Sequence, residues 1–224
     1  MQCYSLHSDL DQTWPGYTFQ LAPGDAIVRG DLKTGRKPST FTATAFDEDW
    51  RFDPATRAAL PDLSLFINMA SPNLPDIMGS YAAVPLRDET QGPIAISERF
   101  HAALADVLGD AMDTVTAGPL IDQLSGRKIV DHDFVHLAVA VERDTYVHDR
   151  ITVDTFTRDD GRTITSVRDI STHNPHRVAE GVIWREALDG ALRCSERFKA
   201  IYDDIGGRGL HFQPTNMFPS GLLR

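Results

Sequence analysis

The feature that most constrains the fold is a four-residue sequence that occurs twice, each time after a short apolar stretch. Residues 97–100 and residues 195–198 are both Ser-Glu-Arg-Phe. A serine at a helix start accepts a hydrogen bond from an otherwise unpaired backbone N–H, and a glutamate in the first turn complements the helix dipole. We therefore predict a strand followed by a Ser-capped helix, used twice as a structural pseudo-repeat. Coincidence is the alternative, because capping favours these residue types in any helix.

The residues after each serine support the two helices. Apolar side chains recur at helical spacing after Ser97 and again after Ser195, and glycines follow at Gly109 and at Gly206. The apolar positions are Phe100, Leu104, Val107 and Leu108 in the first helix, and Phe198, Ile201, Tyr202 and Ile205 in the second.

Strand patterns concentrate in the second half of the chain. Residues 134–142 alternate, with one set of apolar side chains on one face and His136, Ala138 and Ala140 on the other. Asp160-Gly161 predicts a hairpin turn between strands at 151–155 and 164–167. Asp189-Gly190 predicts a second turn between shorter strands.

The first ninety or so residues are less regular. They predict a short strand at 2–6, a brief helix that starts at Asp53-Pro54, and a strand at 63–67. We therefore predict a single α+β domain over 1–224, in which a mixed, mostly antiparallel sheet packs against the two Ser-capped helices. Its parts are an irregular 1–93, the sheet and helices in 94–214, and a tail in 215–224.

Composition limits the function classes. Hydrophobic content of 42% and charged content of 24% are ordinary for a globular protein. The formal net charge of -10 disfavours nucleic-acid binding and would speed encounter with a basic partner, although solubility alone is the favoured explanation of such a charge. Cys3 and Cys194 are far apart in sequence and are interpreted as two buried thiols in a reducing compartment.

Without a signal peptide or an apolar run of about 18 residues, the chain is expected to be soluble and cytoplasmic, with no membrane contact.

Two groups of histidines resemble metal ligands. Asp131, His132 and Asp133 precede His136, but on a strand the two histidines would stand roughly 13 Å apart, too far to share one zinc ion. Polar residues at a strand mouth are the favoured interpretation. The second group, His173 with His176, lies on a proline-bearing loop without a nearby cysteine or carboxylate, and a solvated turn is favoured there. No metal or cofactor is expected.

Acidic side chains are the better candidates for a binding surface. Asp47, Glu48 and Asp49 run into Trp50, which places negative charge beside a large aromatic ring. Asp159 and Asp160 fall at the tip of the predicted hairpin. Protein interfaces often combine an aromatic anchor with complementary charge, so these six residues are the predicted partner-binding residues. The alternative, and the more usual role of clustered surface carboxylates, is that they are only solvated.

The C-terminal third resembles a known family. Residues 167–171 and 182–185 are followed by Leu192-Arg193-Cys194 and the second Ser-Glu-Arg-Phe sequence, and the match ends with Gly-Leu-His-Phe-Gln-Pro at 209–214. This series is similar to the family catalogued as immunity protein eleven of bacterial polymorphic toxin systems. The opening residues 3–6 and the central residues 96–99 fit the same layout.

The resemblance implies a non-enzymatic protein that binds and silences a cognate toxin, for example a basic nuclease acting in the cytosol. It supplies no catalytic residues. The expected mechanism is occlusion of the toxin's active site or substrate surface. A metal-dependent hydrolase that uses the region of Asp131, His132, Asp133 and His136 is the alternative. A self-assembling adaptor is a third possibility, and a large exposed apolar patch would distinguish it.

Overall fold

The computed structural model describes residues 2–8, 47, 49–62, 65–67, 80–81, 94–122, 125–130, 134–157, 163–168, 172–207 and 210–217. These residues form an α+β fold with mixed, mostly antiparallel sheets, as predicted. The helices are α1 (Pro54–Ala59), α2 (Glu98–Leu108), α3 (Pro175–Ala179) and α4 (Glu196–Asp204), with short 3-10 turns at Leu60–Asp62, Gly109–Ala111 and His148–Arg150. The strands of the first half are β1 (Cys3–Ser8), β2 (Leu65–Ile67), β3 (Ser80–Tyr81), β4 (Ile94–Ser97), β5 (Met112–Thr116), β6 (Leu120–Asp122), β7 (Lys128–Val130) and β8 (Phe134–Val139). The later strands are β9 (Glu142–Arg143), β10 (Thr152–Thr157), β11 (Thr163–Arg168), β12 (Thr172–His173), β13 (Ile183–Glu186), β14 (Leu192–Ser195), β15 (Leu210–Pro214) and β16 (Asn216–Met217).

The predicted pseudo-repeat is confirmed, and it is larger than a strand and a helix. In the four-stranded sheet β3-β4-β8-β5, strand β4 leads into α2 and β5 follows it, with β8 between them and antiparallel to both. In the five-stranded sheet β15-β1-β14-β13-β9, strand β14 leads into α4 and β15 follows, with β1 between them and antiparallel to both. Each unit is therefore a helix joining two parallel strands that are separated by one inserted strand.

The inserted strand comes from a different place in the chain in each unit. The first unit uses β8, which follows its own β5, whereas the second uses β1 from the start of the chain. Tyr4 lies opposite Cys194 on one side and Pro214 on the other. The backbone N–H of Thr215 donates to the Cys3 carbonyl at 2.9 Å. The first residues of the chain therefore complete the unit formed by its last third.

The two helices meet through their first turns, at the phenylalanines of the repeated sequence. The ring of Phe100 lies 5.5 Å from that of Phe198 and 5.3 Å from that of Tyr202, both edge to face. Arg99 Nη2 also donates to the Ile205 carbonyl at 2.6 Å. One core cluster contains residues of both helices and both large sheets: Leu6, Ile96, Phe100, Leu104, Leu108, Met112, Val135, Leu137, Val139, Ile183, Leu192, Cys194, Phe198, Tyr202 and Leu210.

The two serines do not play the same part. Ser97 caps α2 as predicted, because its Oγ accepts from the Phe100 N–H at 3.2 Å. The predicted side-chain cap at Ser195 is wrong, since α4 has no side-chain cap hydrogen bond. Ser195 Oγ instead donates to the carbonyl of Val182 at 3.5 Å, and Val182 directly precedes β13.

Both faces of β8 are covered, although the alternating pattern predicted one apolar face. Val135, Leu137 and Val139 face the helices, while His136 and Ala138 on the other face are also fully buried. Residues just before α1 and within it contact β5 in the same sheet. The Phe52 N–H donates to Asp113 Oδ2 at 2.9 Å, and Arg57 forms an ion pair with the same carboxylate.

The remaining strands form three small sheets: β2-β6-β7, the parallel pair β12-β16, and the antiparallel pair β10-β11. The expectation of one principal sheet is therefore corrected to two large sheets that share a helical core. Across the part of the chain that the structure describes, no helix is long and apolar enough to cross a membrane.

Candidate functional site

The strands β10 and β11 form an antiparallel hairpin, called the ribbon below. Six consecutive pairs hold it together, from Thr152 opposite Arg168 to Thr157 opposite Thr163, without a register shift. Within the described residues, neither strand of the ribbon pairs with any other strand. Three of the six pairs, Val153–Val167, Thr155–Thr165 and Thr157–Thr163, join β-branched residues, which suit a strand.

Two large hydrophobic side chains are exposed on this ribbon. Val153 is 41% exposed and Phe156 is 49% exposed, and they are the exposed large hydrophobic residues among those that the structure describes. Both lie on β10. An exposed aromatic side chain of this kind is typical of a protein-binding surface rather than of a folding core.

The predicted acidic residues of the hairpin tip, Asp159 and Asp160, lie outside the described residues, and so does Glu48. The other predicted residues form a tight turn. Asp47 Oδ1 accepts from the Asp49 N–H at 3.0 Å and from the Arg51 N–H at 2.8 Å. The Asp47 carboxylate therefore stabilises its own turn.

Trp50, the predicted aromatic anchor, is partly buried against the protein itself. The Arg185 guanidinium lies over the indole ring, 4.4 Å from its centroid, which is a cation–π geometry. Trp50 also has a φ of 60°, in the left-handed region that a bulky side chain rarely adopts. The turn holds this conformation, because the Trp50 N–H donates to the Asp47 carbonyl at 3.1 Å.

The histidine of the alternative metal site is enclosed in the first sheet. His136 is fully buried in the centre of β8, and burial lowers its pKa to about 4. Asp131, His132 and Asp133 lie outside the described residues. No cluster of three metal-ligating side chains occurs among the residues that are described.

A buried polar network joins β12, β13 and the segment after β9. The fully buried Glu186 accepts from the Thr145 N–H at 2.9 Å, from the Thr145 hydroxyl, and from Trp184 Nε1 at 3.4 Å. Thr145 Oγ1 lies 2.7 Å from His173 Nδ1. Burial raises the pKa of Glu186, and the three hydrogen bonds oppose that effect.

The network determines which nitrogen of His173 carries the proton. When Glu186 is ionised, the hydroxyl proton of Thr145 goes to it, and His173 Nδ1 then donates to the hydroxyl oxygen. Burial and then the charge of Arg193 lower the pKa of His173 to about 3, so the ring is neutral. Neutral histidine beside a carboxylate is also the arrangement of a general base, but these side chains are fully enclosed and do not meet solvent.

A second set of hydrogen bonds extends the network. Tyr146 OH donates to Asp189 Oδ2 at 2.8 Å, and Arg193 Nη2 donates to both of these groups at 3.1 Å. The Tyr146 ring stacks on His173 with 4.6 Å between centroids. The solvated turn predicted at His173 is therefore wrong, since its ring is buried by this stack, while His176 is exposed.

The two cysteines are buried free thiols, as predicted. Cys3 lies opposite Ser195 and Cys194 opposite Tyr4, so their side chains project to opposite faces of the sheet. Burial raises the pKa of Cys3 to about 11 and raises that of Cys194 as well. Neither thiol is a nucleophile at neutral pH.

Comparison with known proteins adds no relative: no family model matches the chain, and no curated protein matches it. The resemblance to the immunity family stays a prediction.

The sequence predicts the two strands of the ribbon, and it also contains a signal for its exposed residues that the prediction of acidic partner-binding residues does not use. A strand packed on a core carries its apolar residues at even spacing, on one face. Val153 and Phe156 are three residues apart, so they point to opposite faces and cannot both enter one core. The buried Glu186 gave no such signal, because its partner Thr145 is 41 residues away in sequence.

Proposed function

We propose that this protein is a non-enzymatic immunity protein that binds a cognate bacterial toxin and neutralises it. The observation that carries the proposal is the ribbon, on which Val153 and Phe156 remain 41% and 49% exposed. The sequence resemblance to the immunity family supports the same function.

The energetic argument concerns what the ribbon exposes. An aromatic side chain the size of Phe156 contributes most of its binding energy when a partner removes it from water. In the free protein the ring is half exposed, so the fold does not gain the stability that full burial of the ring in the core would provide. A binding surface gains from this arrangement, whereas a structural element would pack the ring against its own core.

The charge of the protein indicates the kind of toxin. A net charge of -10 steers a basic protein towards it and opposes contact with nucleic acid. A nuclease that acts in the cytosol has a basic substrate-binding surface. We infer that this protein lies in the cytoplasm of the producing cell. There it occludes either the basic surface of the toxin or the toxin's active site.

The experiment begins with capture of the partner and ends with a toxicity assay. The captured protein, or the product of the neighbouring gene, is expressed with and without this chain in a sensitive bacterium. We expect growth arrest without it and growth with it. If no captured protein is toxic, or if toxicity persists when both are expressed in equal amounts, the proposal fails.

Variants connect neutralisation to the ribbon. Phe156→Ser should weaken protection because it removes the exposed ring, while Ala102→Ser, at an exposed position of α2, should leave it unchanged. Raising the salt concentration should slow association far more than dissociation, because electrostatic steering acts on the encounter. An association rate that does not respond to ionic strength would remove the basic toxin from the proposal.

A further inference from the structure

The two chain segments that connect the ribbon to the rest of the protein are paired with each other. Residues 145–147 precede the ribbon and residues 172–174 follow it, and together they are called the ribbon root below. Tyr146 and His173 form an antiparallel bridge at its centre. Backbone N–H···O=C hydrogen bonds of 2.9 Å and 2.7 Å join the two segments on either side of this bridge. Whatever holds the root therefore also determines where the ribbon points.

Thr145 connects both segments of the root to the second large sheet. Its hydroxyl forms a hydrogen bond with Glu186 and lies 2.7 Å from His173 Nδ1, and its backbone N–H donates to Glu186 Oε1 at 2.9 Å. Glu186 is the last residue of β13, in the five-stranded sheet. One hydroxyl group therefore contacts the entering segment, the leaving segment and the sheet.

Tyr146 makes a second connection to the same sheet. Its ring stacks on His173 with 4.6 Å between centroids. Its hydroxyl donates to Asp189 Oδ2 at 2.8 Å and accepts from Arg193 Nη2 at 3.1 Å. Asp189 lies between β13 and β14, and Arg193 belongs to β14. The root is therefore fastened at two separate points, which fixes a direction, whereas a single point would still allow rotation.

The groups that hold the root are polar, although they are buried. Thr145, His173 and Glu186 are fully buried. Burial of a carboxylate costs solvation free energy, and well-packed apolar residues in the place of buried charged groups often give equal or greater stability. Hydrogen bonds tolerate only narrow ranges of distance and angle, whereas apolar contacts tolerate many arrangements. The network is therefore better suited to fixing an orientation than to adding stability.

We infer that Thr145 and Tyr146 are positioning residues: they fix the direction of the ribbon, and with it the orientation in which its exposed side chains meet the toxin. This inference rests on the proposed function, and it names the residues that prepare the site for binding. Both side chains are buried, so they act through the ribbon rather than on the toxin itself. A binding element that is already held in its bound orientation loses less conformational entropy when the partner arrives.

Distances between pairs of spin labels test this role in the free protein. One pair joins Thr163→Cys on β11 to Ala102→Cys on α2, and it reports the ribbon relative to the helices. The other pair joins Ala102→Cys to Ala200→Cys on α4, and it reports the two helices alone. All three positions are exposed, while the native thiols of Cys3 and Cys194 are buried and react slowly.

Two variants remove one hydroxyl each from the root. Thr145→Val keeps the branched shape and the backbone N–H bond to Glu186, and Tyr146→Phe keeps the ring stack. Each should broaden the distribution of ribbon-to-helix distances and leave the helix-to-helix distribution unchanged. Thr145→Ser retains the hydroxyl and should restore the wild-type width. Tyr146→Phe decides the test if Thr145→Val does not fold.

Tyr202→Phe is the matched control for a general loss of stability. The Tyr202 hydroxyl accepts from the Leu210 N–H at 2.9 Å, between α4 and β15. This variant also loses a buried tyrosine hydroxyl, but away from the root. It should be destabilised in urea denaturation and keep the wild-type ribbon distances. Equal broadening in Tyr202→Phe and Tyr146→Phe, or wild-type widths in both root variants, would overturn the inference.

Binding of the captured toxin is the second readout. Tyr146→Phe should bind it about tenfold more weakly than the wild type, and Tyr202→Phe should bind it as tightly as the wild type. If a toxin is neutralised and the root variants bind it with wild-type affinity, the positioning role is wrong and the immunity function stands. If the distances broaden as expected and no toxin is neutralised, the root fixes the ribbon and the proposed function is wrong.

Discussion

The two strand–helix units and the ribbon use the same residue types in opposite ways. In the units, Phe100 and Phe198 lie at the centre of a shared core, fully buried. In the ribbon, Phe156 is 49% exposed and the strands pair only with each other in the described chain. Stability is therefore concentrated in the units, and the ribbon has side chains available for a partner. Changes in the units should alter folding, and changes in the ribbon should alter binding.

The largest effect is expected at the contact between the two helices. Phe100→Ala removes a ring that packs on Phe198 at 5.5 Å and on Tyr202 at 5.3 Å. It should lower the free energy of unfolding by about 3–5 kcal/mol, measured by urea denaturation. A loss below about 1 kcal/mol would mean that the units do not depend on this contact.

For a single residue, the next largest effect is the loss of stability in acid that each of two buried histidines causes. His136 and His173 are fully buried, with pKa values lowered to about 4 and about 3 from 6.5. Because the folded state binds these protons less readily than the unfolded state, stability is lost as the pH falls through 6.5 towards 4. Each histidine contributes up to roughly 3 kcal/mol to this loss.

The measurement is urea denaturation at a series of pH values between 7 and 4, on the wild type and on His136→Asn. The variant should show a smaller dependence on pH, by about one proton in the linkage slope. The ribbon strands contain no histidine, so neither of these two titrations lies in the ribbon itself. An unchanged slope in the variant would indicate that His136 is protonated in the folded protein.

A smaller effect distinguishes the two serines of the repeat. Ser97→Ala removes the cap of α2 and should cost about 1 kcal/mol. Ser195→Ala removes one long hydrogen bond to the Val182 carbonyl and should cost about half as much or less. Equal losses in urea denaturation would contradict the difference in their roles.

These serines also show how far the sequence predicts the fold. Local patterns predicted α2, α4, the ribbon and the strand–helix repeat, because each depends on residues close together in the chain. The use of Ser195 depends on the Val182 carbonyl, which tertiary structure brings to it. The insertion of β1 between β14 and β15 was not predicted for the same reason, and neither were β5 and β15.

The candidate site was predicted only in part. Asp160-Gly161 and the flanking threonines predict the paired strands correctly, but the acidic pattern predicts partner contacts at Asp159 and Asp160 rather than at Val153 and Phe156. The spacing of Val153 and Phe156 shows only that they cannot share one face, and the degree to which each is exposed depends on what the rest of the chain covers. The same limit explains why His173, which tertiary contacts bury, was predicted to be solvated.

The smallest effect on stability is expected at Phe156, and it is the matched counterpart of Phe100→Ala. Phe156→Ala deletes the same ring from a half-exposed position and should change the free energy of unfolding by less than about 0.5 kcal/mol. The same variant should weaken the proposed toxin binding, because the proposed complex would bury the exposed half of the ring. Urea denaturation and a binding titration on one preparation of each variant make the comparison direct. A destabilisation close to that of Phe100→Ala would place Phe156 in a core, and the ribbon would then be a folding element rather than a binding surface.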